Sequence, residues 1–253
     1  MTWDDFKSPL PIKLPAVKIS LITEYLQQSS LHLEADPCYF TDLLTTNQHW
    51  RIFPHYRHST AYLDIETTGL NEYGDHITTI ALYDGSTIKY YIHGDNLDDF
   101  VTDIKQYDVL VTYNGKTFDI PFIEKFFGIE MHQAHIDLRH VLRALGYAGG
   151  LKSCEKQLGL DRGELNGVDG YFAVLLWREY EKSGNPKALE TLLAYNIEDA
   201  VNLETLMVKA YNLSLQKTKF YPELKISLPG RPEIPFSADL MVIDNIKRAY
   251  CGC

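Results

Sequence analysis

Residues 61–70 have the sequence Ala-Tyr-Leu-Asp-Ile-Glu-Thr-Thr-Gly-Leu, an apolar run that carries two acids one residue apart. The first six residues predict a buried β-strand. Since side chains two apart in a strand point to the same face, Asp64 and Glu66 should project together from its end. Two such carboxylates repel each other unless a cation lies between them, and hard oxygen ligands suit Mg²⁺ or Mn²⁺. In so acidic a chain an acid-x-acid pattern arises by chance roughly four times, so this pair needs support from other residues.

The pattern around this strand predicts an α/β fold. Two further strands follow, Ile77 to Tyr83 and Thr87 to Ile92, and Asp84-Gly85 between them is typical of a hairpin turn. Beyond them we expect strands at 108–112 and 134–136 and helices at 96–106, 118–127, 137–145, 151–158, 171–182 and from Pro186 onward. This order predicts a mixed sheet flanked by helices, in which three antiparallel strands precede alternating helix and strand.

Two extensions flank this central region of residues 58–212. Residues 1–57 contain several prolines, a helix-like stretch at 19–28 and an aromatic-rich segment at 50–56, and we expect an N-terminal extension packed on the core. Residues 213–253 contain four prolines, which predict an irregular C-terminal extension.

The composition is that of a globular protein, with 45% hydrophobic and 23% charged residues among 253. No apolar run approaches the roughly 20 residues of a transmembrane helix, so no membrane association is expected.

The start, Met1-Thr-Trp-Asp-Asp, lacks the apolar stretch of a secretory signal, and four sparse cysteines are typical of a reducing compartment. A cytoplasmic location is expected. The terminal pair, Cys251 and Cys253, is expected to be incidental rather than a metal site.

Negative charge is concentrated in the middle of the chain. The net charge is −10, and residues 60–212 contribute −11, from 13 Lys and Arg against 24 Asp and Glu. An acidic protein is at first sight poorly suited to bind phosphates. Such acids are either a solvated surface or the ligands of a divalent-metal enzyme, in which bound cations reverse the local field. The charge therefore does not exclude a nucleic-acid substrate.

Two further segments place acids where such a site would need them. Asp119 follows the predicted strand that ends at Tyr113 and stands in the first turn of the next helix. In the long helix, Tyr195 and Asp199 are four residues apart and share one face, with Cβ atoms about 5–6 Å apart. Each has an ordinary explanation when it stands alone: Asp119 as a capping acid, Asp199 as a surface acid and Tyr195 as a residue at the edge of the core.

Together, in order and spacing, the three segments resemble the exonuclease motifs of the DEDD superfamily of 3′–5′ exonucleases. The second, Tyr113-Asn114 through Phe118-Asp119 to Phe122, is similar to that of the proofreading domain of family B DNA polymerases. Residues 61–211 as a whole resemble bacterial ribonuclease H-like exonucleases. The final motif has Tyr195 and no His, which corresponds to the tyrosine branch of the superfamily.

The resemblance implies a ribonuclease H-like fold and a two-metal nuclease. The implied enzyme hydrolyses phosphodiester bonds at a 3′ end of DNA or RNA and releases nucleoside 5′-monophosphates. It would use two Mg²⁺ or Mn²⁺ ions, with Asp64 bridging both, Glu66 and Asp199 completing the first site and Asp119 serving the second.

The resemblance also implies roles for residues that do not ligate metal. Tyr195 would orient the attacking water rather than act as a base, because the usual pKa of tyrosine is near 10. Thr67, Thr68 and Leu70 would contact the terminal nucleotide, and Asn114 would contact the neighbouring backbone.

Two other functions fit the same fold. A ribonuclease H-like endonuclease would use the same carboxylates on an internal bond. A non-catalytic nucleic-acid-binding or docking module would have no need of four mutually repelling acids and Tyr195. The sequence leaves open DNA against RNA, the number of strands, protein partners and the oligomeric state.

Four basic residues could extend the site. Arg139, Arg143, Lys152 and Lys156 fall on two successive predicted helices. They form either a phosphate track or an ordinary solvated surface.

Overall fold

A five-stranded sheet lies at the centre of the chain, in a computed structural model that describes residues 14–71, 73–163 and 170–250. Its strands are β1 (Thr60–Thr67), β2 (Ile77–Tyr83), β3 (Ile88–Ile92), β4 (Val109–Thr112) and β5 (Ala134–Asp137). The strand order is β3-β2-β1-β4-β5. The first three strands are antiparallel, and β4 and β5 continue the sheet parallel to β1. The predicted mixed sheet is confirmed.

Helices cover both faces of this sheet. They are α1 (Ala16–His32), α2 (Pro37–Leu43), α3 (Phe53–Tyr56), α4 (Phe100–Asp103), α5 (Asp119–Phe127), α6 (Leu138–Ala144), α7 (Leu151–Gln157), α8 (Gly170–Ser183), α9 (Pro186–Leu215) and α10 (Leu240–Tyr250). Short 3₁₀ turns occur at Thr46–Arg51, Arg57–Ser59, Leu97–Asp99 and Ile104–Gln106. No helix of the described residues is long and apolar enough to span a bilayer.

Successive side chains of β1 point to opposite faces of the sheet and belong to two different hydrophobic clusters. Ala61, Leu63 and Ile65 are buried in a cluster with Phe100 and Phe122. Tyr62 points the other way, into the cluster formed with α9. Because Asp64 and Glu66 have the same parity as Tyr62, they lie on the face of the sheet that α9 covers.

Helix α9 is the main support of that face. It runs for 30 residues, begins with Pro186 in its first turn and is capped by the Asn185 side chain, which accepts from the Lys187 N–H at 3.0 Å. It packs across β1 and β2 and against α8. Since neighbours cover it on several sides, even Glu198 and Asp199 are buried, although acids in a helix are usually exposed.

Two expected elements differ from the structure. The single helix expected at 96–106 is divided into 3₁₀, α and 3₁₀ turns, although Phe100 and Ile104 still pack at helical spacing. The prediction that the C-terminal extension is irregular is wrong for its last part, where α10 packs on α9 and buries Val242, Ile243 and Ile246 in a cluster with residues of α8 and α9.

The N-terminal extension contacts the core through its aromatic segment. Trp50, Phe53 and Tyr56 are buried in the same cluster as the inner face of α9, whereas α1 has no buried residue. Residues 1–13 and 251–253 lie outside the described residues, and with them the expectation about Cys251 and Cys253.

Candidate metal centre

Three carboxylates converge between β1 and α9. Asp64, Glu66 and Asp199 each offer an oxygen, and these oxygens all lie within 4.8 Å of one another. Glu66 and Asp199 are 8% and 5% exposed, so the surrounding water cannot screen their mutual repulsion fully. Asp64 and Glu66 lie on the same face of β1 because they are two residues apart. Asp199 joins them because α9 packs on that face. Only oxygen donors are offered, which suits a hard divalent cation such as Mg²⁺ or Mn²⁺.

Asp119 is buried beside this group without belonging to it. It is the first residue of α5 and is 5% exposed. The backbone N–H groups of Asp119 and Ile65 favour the charged form of its carboxyl group and so lower its pKa, against the larger effect of burial. Its negative charge contributes to raising the pKa values of Asp64 and Glu66, so the four acids form one electrostatic unit.

Burial raises the pKa values of all four carboxyl groups. Desolvation is the largest cause in each case, and for Asp64 and Glu66 the charge of Asp199 is the next. For Asp119 burial and the charge of Asp137, opposed by the two backbone N–H donors, raise the pKa to about 7. A cluster that resists ionisation in this way gains most when a cation enters it.

Tyr195 lies one turn before Asp199 on the same helix and is 3% exposed. Burial, and then the charges of Asp199 and Glu66, raise its pKa further above the ordinary value. The ammonium of Lys152 lies 4.3 Å from the centre of its ring. The phenol of Tyr195 therefore keeps its proton at neutral pH. Its neighbours include the carboxylates of Asp199, Glu66 and Asp64.

Asn196, which the sequence analysis missed, orients Asp64. Its amide nitrogen donates to the Asp64 carboxylate at 2.7 Å and to the Asp64 carbonyl at 3.2 Å. Its own Oδ1 is buried without a hydrogen-bond partner among the described residues, so the amide is turned to give its donor to Asp64. The sequence signal was weak: a polar residue next to Tyr195, in a helix that contains other polar residues such as Asn202.

Two basic side chains, also not assigned to the site from sequence, reach the acids. The Arg162 guanidinium donates to Asp199 and is held by a bidentate pair with Glu155. The positive charge of Lys152, from α7, lowers the pKa of both Glu66 and Asp199. The predicted helix at 151–158 placed Lys152 correctly on α7, but only the tertiary packing shows that it faces the acids.

The loop after β4 is held in an unusual shape around Asn114. Asn114 has φ of 68°, and no other described non-glycine residue has a positive φ. The Asp137 carboxylate fixes this loop by accepting from the Asn114 N–H at 2.8 Å and the Lys116 N–H at 3.2 Å. The Asn114 side chain accepts from Thr117 and Arg139. Asn tolerates this backbone region better than other side chains, so the conformation is compatible with the residue.

The turn after β1 contains the other expected contact residues. Thr67 donates to the Gly69 carbonyl at 2.5 Å, and Thr68 donates to the Asp75 carboxylate at 3.1 Å. Leu70 is 86% exposed. Both threonine hydroxyls thus shape the turn, while Leu70 offers an apolar surface to solvent.

A cleft of about 630 Å³ opens next to the loop after β4. Its lining comprises Tyr113, Asn114, Arg139, Arg143 and residues 147–151. Helix α7 connects the cleft to the site: Leu151 lines the cleft, and the ammonium of the next residue, Lys152, lies over the ring of Tyr195. Two of the four basic residues singled out from sequence therefore line one cavity with two tyrosines.

Comparison with solved structures gives distant resemblances. The family B DNA polymerase from the archaeon Pyrobaculum calidifontis matches with 17% identity and a TM-score of 0.45, over 62% of this chain and 24% of that one. Brucella melitensis NrnC matches with 18% identity and a TM-score of 0.45, over 65% of this chain and 78% of that one. The chain thus spans about a quarter of the polymerase.

Comparison of sequences gives a broader match. A search of curated proteins found no significant relative. The family model described as the RNase_H superfamily, in contrast, matches residues 61–211, which is more than half of the chain and contains all four acids and the whole sheet except Thr60. The ribonuclease H-like resemblance drawn from the motifs is thereby confirmed, and the chain belongs to the RNase H superfamily.

Proposed function

We propose that the chain is a metal-dependent nuclease that releases nucleoside 5′-monophosphates from the 3′ end of DNA or RNA. The observation that carries this proposal is the convergence of Asp64, Glu66 and Asp199 within 4.8 Å, with Asp119 buried beside them. The catalytic unit would comprise residues 58–212, flanked by the two extensions.

The acids would hold two divalent ions. Asp64, Glu66 and Asp199 would bind one, and Asp64 with Asp119 the other. Such ions, Mg²⁺ or Mn²⁺, supply a water of lowered pKa and stabilise both the attacking and the leaving oxygen of the phosphodiester. Asn196 would keep Asp64 in the orientation that serves both sites, as outer hydrogen-bond partners of metal ligands generally do.

Tyr195 would position the attacking water. Because burial and the neighbouring acids keep the phenol protonated, it serves as a hydrogen-bond donor and not as the base. The hydroxyl is carried on the same helix face as Asp199, which supports a role beside the first ion.

The substrate strand would leave the acids through the basic cleft. Arg139 and Arg143 would pair with phosphates, and the rings of Tyr113 and Tyr147 offer faces on which bases stack. Exposed Leu70, in the turn after β1, would pack against the terminal nucleotide. A positive cleft beside an acidic metal site reconciles the net negative charge of the chain with a nucleic-acid substrate.

The test compares Asp199→Asn with Glu190→Gln, because Glu190 is a partly exposed acid on the same helix and pairs with Lys187. Single-stranded DNA and RNA are incubated with Mn²⁺, with Mg²⁺ and with EDTA. The proposal expects the wild type and Glu190→Gln to degrade at least one of them with metal, while Asp199→Asn is inactive. Undiminished activity of Asp199→Asn, or no cleavage by the wild type under any condition, would refute it.

A further inference from the structure

Arg162 is a buried arginine with two separate acidic partners. Its side chain is 4% exposed. Its Nε and Nη2 donate to the two carboxylate oxygens of Glu155 at 2.5 and 2.7 Å, and its Nη1 donates to Oδ1 of Asp199. The guanidinium thus bridges an acid of α7 to an acid of the candidate metal centre.

The pair with Glu155 is complete without Asp199. Glu155 is 1% exposed, meets the guanidinium with both oxygens and is also held by the Asn202 amide at 3.0 Å. A bidentate pair of this kind compensates the charge of the arginine and gives two of its N–H groups carboxylate acceptors. The bond to Asp199 is therefore a second and separable contact, which can open while Arg162 stays anchored on α7.

The charges around Asp199 explain what that contact does. Asp199 lies in a buried cluster with Asp64 and Glu66, and Arg162 is the largest influence that opposes burial in setting its pKa. A guanidinium on Oδ1 supplies positive charge where a metal ion would supply it. The same oxygen cannot give its full charge to both partners, since each draws on the same lone pairs.

We propose that Arg162 is a positioning residue that holds Asp199 in place when no metal is bound and weakens the affinity of the centre for its divalent ion. The inference rests on the proposed metal-dependent function. An incoming ion takes over Asp199, while Glu155 retains the guanidinium at the edge of the acids. Glu155 acts in the opposite direction, because it draws Arg162 away from Asp199.

Two substitutions should therefore move the metal affinity in opposite directions. Arg162→Gln removes the competing cation, and we expect Mn²⁺ to bind about tenfold more tightly, within the roughly 5- to 150-fold range of coupled sites. Glu155→Gln removes the charge that anchors Arg162, and Mn²⁺ should bind more weakly. A purely structural role would weaken metal binding in both variants, since each would loosen the same packing.

The control is a similar ion pair away from the acids. Arg57 donates to Glu204 of α9 at 2.7 Å, and Arg57→Gln should lower the melting temperature without changing Mn²⁺ affinity. All variants are titrated with Mn²⁺ by calorimetry and melted with and without metal. Without metal Arg162→Gln should melt below the wild type, and its gain in melting temperature on adding Mn²⁺ should be the larger.

The outcomes separate the two proposals. Unchanged or weaker Mn²⁺ binding by folded Arg162→Gln would overturn the role of Arg162 and leave the metal centre intact. If neither the wild type nor Arg162→Gln binds Mn²⁺, the metal centre itself is refuted, and this inference with it. If Arg162→Gln does not fold, Arg162→Lys takes its place, because a single ammonium cannot hold both oxygens of Glu155 and Asp199 at once. Tighter Mn²⁺ binding by Arg162→Lys than by the wild type supports the proposal, and equal or weaker binding overturns it.

Discussion

Asn196 on α9 donates one amide group to two oxygens of Asp64 on β1, the carboxylate at 2.7 Å and the carbonyl at 3.2 Å. The two residues are 132 positions apart in sequence. This contact fixes the strand that supplies two acids to the helix that supplies the third, so the geometry of the centre depends on one buried side chain.

Asn196→Ala should impair the centre more than the fold. Without the donor, Asp64 is free to turn, and loss of an outer partner of a metal ligand typically costs about 10- to 100-fold in affinity or activity. Asn212→Ala is the matched control, because Asn212 on the same helix binds the backbone of Ile226 at 2.8 and 3.0 Å, away from the acids. Calorimetric Mn²⁺ titration of both variants measures the difference. Equal losses of affinity would contradict a specific role for Asn196.

Tyr195→Phe should reduce the rate and spare metal binding. The substitution removes only the hydroxyl proposed to position water, and losing one such group costs on the order of 10²–10⁴ in rate. Tyr211→Phe is the control: Tyr211 is also buried on α9, but its hydroxyl donates to the Leu224 carbonyl at 3.0 Å. Single-turnover rates and melting temperatures distinguish the two. A wild-type rate in Tyr195→Phe would show that the tyrosine only packs.

The stability of the metal-free protein should decrease as the pH rises. The pKa of Asp119 is about 7 in the folded protein, and those of Asp64 and Glu66 are also raised, whereas unfolded carboxyls titrate near pH 4. Between about pH 4 and 7 the folded state binds more protons than the unfolded state, so unfolding becomes easier with rising pH. The melting temperature in EDTA should be higher at pH 5.5 than at pH 8. The same difference in Asp119→Asn should be smaller.

The affinity for metal should depend on pH in the opposite direction to the stability of the metal-free protein. Ions must displace the protons held by the acids, so Mn²⁺ affinity should increase as the pH rises through the Asp119 pKa of about 7. Calorimetry in buffers of different ionisation enthalpy would measure the protons released. An affinity independent of pH between 5.5 and 8 would contradict the raised pKa values.

The basic cleft should matter for strands and not for single nucleotides. Arg139→Gln and Arg143→Gln should raise KM for an oligonucleotide and leave hydrolysis of a nucleotide nitrophenyl ester unchanged, because the ester lacks the further phosphates with which these arginines would pair. The KM of the wild type should also rise more steeply with salt than that of the variants, because each variant lacks a phosphate contact. Arg178→Gln on α8 is the control substitution. Equal effects on both substrates would show that these arginines support the acids instead.

Local patterns predicted the parts of the site that lie within single elements. The period of two in β1 placed Asp64 and Glu66 on one face, and the helical spacing of Tyr195 and Asp199 placed them together, because both relationships are fixed by backbone geometry. The α10 helix was missed because prolines dominated the interpretation, although Val242, Ile243 and Ile246 have helical spacing.

The contacts that complete the site could not be predicted in this way. Arg162 meets Asp199 across 37 positions, and no spacing rule relates residues from a loop and a distant helix. The burial of an acid could not be predicted either. Glu155 lies between polar residues in the sequence of α7, and only the packing of that helix buries it as the partner of Arg162.

The most direct test of the proposed function uses labelled linear and circular single strands with Mn²⁺. We predict that a 5′-labelled linear strand shortens into a ladder, that a 3′-labelled strand releases labelled mononucleotide at once, and that a circle stays intact. EDTA should stop both reactions. Cleavage of the circle, or shortening from the 5′ end, would contradict the assignment of a metal-dependent 3′–5′ exonuclease.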